Sequence, residues 1–217
     1  MFRSSSSSSN EQLIAELKAE RMLTSKRVED TMRYIDRKHF VKSSSEAYVN
    51  APAGIGHGQT ISAPHIHSYM LELLKDKIVP GASVLDVGCG SGYLTAALAH
   101  MVGPSGRVTA IDRHAELVSF AEFNVSKFPE LVNRITFTTG DGKQGYEKNA
   151  PYDAIHVGAT AKRIPDSLIH QLKPDGLLCI PVEDSHGAGQ SLLLVKKNAD
   201  GSISEKKTLG VRFVPLV

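Results

Sequence analysis

Residues 84–92 read Val-Leu-Asp-Val-Gly-Cys-Gly-Ser-Gly, a short apolar run that ends in three alternating glycines and continues into a helical pattern. The run points to a strand covered on both faces, and a covered strand feeding a helix implies a crossover to a parallel neighbour. Glycine belongs in such a turn because the backbone needs positive φ there and because a ligand must approach it closely. The same alternation repeats downstream: strand-like runs at 83–87, 107–111, 134–139, 153–157 and 176–182 are interleaved with helical patterns near 92–102, 114–127 and 165–172. An α/β fold with a doubly wound, mostly parallel sheet follows. The runs 190–198 and 203–216 flank Ala199-Asp200-Gly201-Ser202 with no helix between them, which predicts a terminal antiparallel hairpin.

Ahead of the sheet, Leu13, Ile14 and Leu17, with Arg21 in register, mark one amphipathic helix, and Val28, Met32 and Ile35 mark a second. The serine run before them cannot bury anything, so 1–9 is expected as a disordered leader, with Ser9 and Gln12 able to close a capping box. Between Ser43 and Pro64 the texture is of small and turn residues, with Gly54, Gly56 and Gly58 alternating and prolines at 52 and 64, and a long loop is expected to deliver Ser62 as N-cap and Pro64 as first turn of a helix buried through Ile66, Met70, Leu73 and Leu74. The 217 residues therefore divide into that leader and one domain over 10–217, with helices and an active-site loop to about 80 and the sheet core beyond.

Composition narrows the classes further. A hydrophobic share of 41% with 18 Gly and 10 Pro excludes collagen-like, wholly disordered and coiled-coil chains. The net charge of +2 gives no reason to expect a nucleic-acid partner. Cys89 and Cys179 read as reduced thiols, no run is long enough to cross a membrane, and Met1-Phe2-Arg3 before the serines lacks a secretory apolar core. A cytoplasmic protein without a membrane partner is the expectation.

Three acids fall at strand ends: Asp86 before the glycines, Asp112 after 107–111, and Asp141 in Gly140-Asp141-Gly142. A carboxylate at the position of Asp112 can accept both hydroxyls of a ribose. The spacing G-x-G-x-G with an acid two residues earlier departs from the dinucleotide fingerprint G-x-G-x-x-G, no P-loop sequence occurs, and Asp86 suits a cationic ligand better than a pyrophosphate.

The segment from Asp86 to Gly92 resembles the glycine motif of class I methyltransferases that use S-adenosylmethionine. More specifically, 59-QTISAPHIH-67, 82-ASVLDVGCGSGYLTAALA-99, 140-GDGKQGY-146, 151-PYDAIHVGATAKRIP-165, 171-QLKPDGLLCIPV-182 and 213-FVPL-216 resemble the protein-L-isoaspartate (D-aspartate) O-methyltransferases, together with 35-IDRKHFV-41 and 47-AYVNAP-52. The resemblance implies a Rossmann-like sheet and methylation of the α-carboxylate of isoaspartyl and D-aspartyl residues in damaged proteins, which leads to repair through a succinimide. It implies a cofactor site of Gln59, Thr60, Ile61, Ser62, His67, Asp86, Gly88, Gly90, Gly92, Asp112, Arg113, Asp141 and Gly142, and substrate contacts at Val157, Gly158 and Ala159. A peptide α-carboxyl titrates near 3.3–3.7 in reference compounds, so the acceptor is already an anion and no general base is needed. Ser62 is the residue expected to hold it, as the catalytic group. Asn50 stands where relatives commonly carry aspartate, and Val217 has no side-chain donor where many continue with a polar tail.

Rival readings are a small-molecule or RNA methyltransferase, a noncatalytic cofactor-binding module and a nicotinamide oxidoreductase. Val157-Gly158-Ala159 in place of Asn-Pro-Pro-Tyr disfavours base methylation, and the loop spacing disfavours nicotinamide. His65 and His67, with His57 nearby, lack zinc-site spacing, so no metal is expected. An open cleft for exposed peptides suggests a monomer.

Overall fold

A computed structural model describes residues 7–185 and 189–217. Of the leader, 1–6 lie outside the described residues, while 7–9 are ordered: Ser7 is buried and its N–H donates to the Tyr48 carbonyl at 3.3 Å. Ser9 Oγ accepts from the Gln12 N–H at 3.3 Å, but Gln12 Oε1 reaches back to the Ser8 N–H at 2.9 Å, so the capping box closes one residue early. Helices α1 (Asn10–Ala19) and α2 (Lys26–Tyr34) bury the residues that their periodicity picks out; Arg21, beyond the end of α1, is exposed with φ 57°.

The long loop is partly strand. β1 (Ala53–Gly56) and β2 (Gln59–Ile61) form an antiparallel hairpin whose tip, His57-Gly58, has positive φ at both residues, the mirror-image turn that matches strand twist. Strands this short and this rich in glycine carry no apolar run from which to be read.

Helix α3 (Pro64–Leu74) follows, then β3 (Ser83–Val87), α4 (Tyr93–Met101), β4 (Arg107–Asp112), α5 (Ala115–Val125), the short α6 (Pro129–Val132), β5 (Ile135–Thr139), β6 (Tyr152–Val157), α7 (Asp166–His170), β7 (Leu172–Glu183), β8 (Gln190–Lys197) and β9 (Ile203–Val211). β7 starts four residues before the expected 176, and β9 stops at Val211 instead of running to 216. The seven strands stand in the order β5-β4-β3-β6-β7-β8-β9, parallel through β7 and antiparallel in the terminal hairpin.

Alternate residues of β3 feed opposite faces: Val84 packs with the N-terminal helices, α3 and α4, whereas Leu85 and Val87 pack with Ile155, Leu168 and Ile180 on the other side. β3 pairs in parallel with both β4 and β6, so the chain leaves it in one direction and later returns on its other side. Ligand sites in open α/β sheets form outside the carboxyl ends of the strands at such a switch.

α3 carries the loop over that edge. Its N-cap position is Ala63, which has no side chain to cap with, so Ser62 is not the cap. Asn50 supplies the bond from a distance: buried, its Oδ1 accepts from the His65 N–H at 3.1 Å and lies 2.7 Å from His65 Nδ1. The α3 stripe also differs from expectation, because His67, Ser68 and Leu71 are buried with Met70 and Leu74, while Ile66 and Leu73 are only half-buried. Replacing Asn50 by alanine should lower the unfolding free energy in urea by about 1–2 kcal/mol, as loss of a helix cap does; an unchanged midpoint would show that another group caps α3.

Candidate active site

Past the carboxyl ends of β3, β4 and β6 lies an open cleft. Gly88 turns with φ +77°, and a Cβ on Gly158 would stand 2.9 Å from the Gly88 carbonyl oxygen, so the two strand ends meet backbone to backbone and leave the floor bare. Asp112 is buried at the end of β4, where Oδ2 accepts from the Gly90 N–H at 3.0 Å and Oδ1 from the His114 N–H at 3.1 Å. The remaining walls come from Ile55, Gln59 and Thr60 on the hairpin, Arg113 and His114, Gly142, Ala159 and the segment 214–217.

That last segment is tied down. The Thr160 N–H donates to the Val214 carbonyl at 2.8 Å and the Leu216 N–H to the Thr160 carbonyl at 2.7 Å, while Gln190 Oε1 accepts from the Phe213 N–H at 2.6 Å. Pro215 therefore pairs with Thr160 as an isolated bridge and the strap crosses the cleft beside β6.

Thr60, Gly88, Gly90 and Gly158 also border a deeper compartment of about 350 Å³ with Ile61, Ser62, His67, Asp86, Tyr93 and His156. Asp86 is fully buried; Oδ2 accepts from Thr95 Oγ1 at 2.5 Å, and Oδ1 lies 2.7 Å from His156 Nδ1. Both carboxylate oxygens are engaged inside the protein, so Asp86 acts on the compartment chiefly through His156, whose Nε2 is buried with no partner among the described residues. The register Asp86↔His156 between β3 and β6 explains the contact, and a lone histidine in the apolar run 153–157 is the only sequence trace of it.

His67 is buried, its ring 4.8 Å from that of Tyr93 and its Nδ1 3.5 Å from an Arg37 terminal nitrogen. Burial pushes its pKa well below the ordinary value, reinforced by the charges of Arg37, His156 and His65. Arg37 is 1% exposed, forms no ion pair with a carboxylate among the described residues, leaves Nε unpartnered and is lowered by burial to about 10. A buried cation thus lies behind a compartment whose other groups include few positive charges. The Cys89 thiol is pushed far up by burial and by Asp86 and Asp112, which rules out a thiolate nucleophile there.

Ser62 is half-buried, and its hydroxyl makes no hydrogen bond to another described residue. It borders both the compartment and an outer groove that runs past Pro52, His65, Ile66, Arg212 and Phe213. Three of the expected site residues do not line these spaces. Gly92, at φ +84°, is needed for close packing, since a Cβ would meet Ala121 at 3.0 Å. Val157 is buried in the core, and Asp141 is exposed at the rim with Oδ1 accepting from the Lys143 N–H at 2.9 Å. Sequence reasoning missed Ile55, His114, His156 and the strap as wall elements, and Arg37 as the buried cation behind His67.

The family model for protein-L-isoaspartate(D-aspartate) O-methyltransferase matches residues 8–217. The chain belongs to that family. Protein-L-isoaspartate O-methyltransferase 1 of Arabidopsis thaliana is 45% identical over 98% of this chain and 93% of its own length, and the Methanopyrus kandleri enzyme is 44% identical over 95% and 90%. A Plasmodium falciparum protein-L-isoaspartate O-methyltransferase solved with S-adenosyl-L-homocysteine superposes with a TM-score of 0.88 at 32% identity, covering 97% of this chain and 99% of that one. S-adenosylmethionine-dependent methylation of isoaspartyl residues is the reaction of this chain, and S-adenosylmethionine is its cofactor. The cleft fits that ligand: a bare glycine floor, a buried strand-end carboxylate for hydroxyls, and an orphaned imidazole nitrogen beside the deeper space. Among the described residues no helix is long and apolar enough to cross a membrane.

The buried histidines set a pH limit. His67, and in the same direction His39, His65 and His100, have native pKa values depressed by burial. The unfolded chain therefore binds protons near pH 6.5 that the native state refuses, so this stability is complete above that value and is lost as pH falls below it. The urea midpoint should drop between about pH 7.5 and about pH 5.5, and His67→Gln should shrink the drop; an equal drop in the variant would exclude His67 as a source.

Proposed function

We propose that Ser62 holds the α-carboxylate of an isoaspartyl or D-aspartyl residue at the junction of the two spaces, with the peptide in the outer groove and the cofactor in the cleft. What carries this reading is the Ser62 hydroxyl, unpartnered, uninvolved in capping α3, and shared by compartment and groove.

Gln59, Thr60, Ile61, Gly88, Gly90 and His67 wall the cofactor; Asp112 takes the ribose hydroxyls with Arg113 beside it, and Gly142 with Asp141 at the rim borders the base. Gly92 serves this site indirectly, by letting α4 start against α5. Asp86 also acts indirectly: with Nδ1–H given to Asp86, His156 offers Nε2 to a donor such as the cofactor's ammonium. Gly158 and Ala159 meet the substrate main chain, and Val157 supports them from the core.

S-adenosylmethionine supplies an electrophilic methyl on a sulfonium. The protein's part is alignment and exclusion of water, since attack by a carboxylate on that centre removes opposite charges and needs no proton transfer; alignment is worth up to about 7–11 kcal/mol. Buried Arg37 adds a positive potential that favours an anion beside Ser62. The ester then leaves as a substrate for succinimide closure, the step that begins protein repair. One domain over 10–217, working as a cytoplasmic monomer on damaged proteins and peptides with no nucleic-acid partner, completes the proposal.

In a methyl-transfer assay the enzyme should place a base-labile ester on an isoaspartyl peptide and none on its aspartyl twin. Ser62→Ala should lower kcat on the isoaspartyl peptide by about 10- to 100-fold, the worth of a hydrogen bond to a charged group, with cofactor affinity retained. Wild-type turnover in that variant would remove Ser62 from the reaction. Asp112→Ala should weaken S-adenosylmethionine binding in calorimetry by about tenfold or more, roughly 1.4 kcal/mol; unchanged affinity would take Asp112 off the ribose.

A further inference from the structure

The hairpin tip carries His57 to the start of α5, where one donor atom each from His57, His114 and Glu116 lies within 4.8 Å of the others. The two imidazole rings are tilted against each other with centroids 5.3 Å apart. None of the three side chains is held by another hydrogen bond or ion pair among the described residues. We propose that these three side chains form a site for a divalent transition-metal ion, with zinc as its best occupant, and that the bound ion ties the β1–β2 hairpin to α5 across the mouth of the cleft.

The donor set makes the choice of ion. Two imidazoles and one carboxylate suit zinc with a fourth position left for water, whereas calcium and magnesium call for six or more oxygens. Tetrahedral zinc at about 2.0–2.1 Å sets its donor atoms about 3.3 Å apart, so the observed separation closes by rotamer adjustment of roughly an ångström in side chains that have room to move. His57 and Glu116 are exposed and His114 is half-buried, which leaves an entry path from solvent.

The backbone also permits convergence. His114 precedes α5 in extended conformation, at φ −96° and ψ 111°, and Glu116 sits in the first turn, so the two are not held apart on successive faces of one helix. His57 arrives from a different segment, 57 residues earlier in the chain. An ion bound there would therefore crosslink two elements that otherwise meet only by packing. The hairpin continues through Gln59 and Thr60 to Ser62, and His114 adjoins Arg113 and Asp112, so the crosslink joins the two lips of the cofactor cleft. His65 and His67 take no part: His65 is bonded to Asn50, and His67 packs against Tyr93 and Arg37.

The test is independent of methyl transfer. Chelator-treated full-length chain titrated with zinc chloride in a calorimeter should bind one ion with micromolar affinity, and cobalt(II) in its place should show the visible absorption of a four-coordinate site. His57→Asn, which tolerates the positive φ of the turn, and Glu116→Gln should each weaken binding at least tenfold while leaving methyl transfer in metal-free buffer unchanged. Zinc should slow amide hydrogen exchange across 53–61 in the wild type and not in His57→Asn. Absence of binding, wild-type affinity in either variant, or bound zinc with unaltered exchange over 53–61 would overturn the proposal.

Discussion

Parallel pairing of β3 with β4 on one side and β6 on the other is the constraint from which the site follows. It forces the chain after Val87 and the chain after Val157 to turn away from the same point, and they do so with Gly88 and Gly158 in backbone contact. A Cβ on Gly158 would stand 2.9 Å from the Gly88 carbonyl oxygen, and Gly88 turns at φ +77°, so neither position takes a side chain without strain. The same pairing sets Asp86 beside His156, so the polar group buried under that floor is a product of register and not of a separate device.

Charge distribution is the second theme. Asp86 is fully buried yet satisfied on both oxygens, Asp112 is buried yet accepts two backbone N–H groups, and Arg37 is buried with neither an ion pair nor a full set of hydrogen bonds among the described residues. Satisfied carboxylates of this kind fix geometry at small cost, whereas an unpaired buried cation is expensive unless something else rewards it. On the proposed placement of the substrate carboxylate at Ser62, an anion would supply that reward during the reaction. The pKa of His67 is depressed first by its burial and further by the positive charge of Arg37 beside it.

The sheet was legible because apolar runs, glycine turns and helical periods each extend over enough residues to signal a period, and Asp112 was legible because it ends such a run. What sequence reasoning did not find depends on contacts between distant segments. Asn50 caps α3 from fifteen residues away, Arg37 reaches His67 from a 3-10 turn at Arg37–His39, and His156 acquires meaning only through its neighbour strand. Ser62 was expected as a cap because serine ahead of proline fits one, but the helix begins one residue later and leaves the hydroxyl free. The hairpin inside 43–64 escaped notice since alternating glycines carry turn signals and strand structure at once.

The claim on which this account rests is that the serine hydroxyl at the mouth of the deeper compartment receives the substrate carboxylate next to the cofactor sulfur. A crystal structure of the chain with S-adenosylhomocysteine and an isoaspartyl peptide measures this directly. The account predicts the peptide carboxylate within hydrogen-bond distance of Ser62 Oγ and on the side of the sulfur from which the methyl has departed. A carboxylate bound elsewhere, with Ser62 turned toward the backbone of α3, would contradict it.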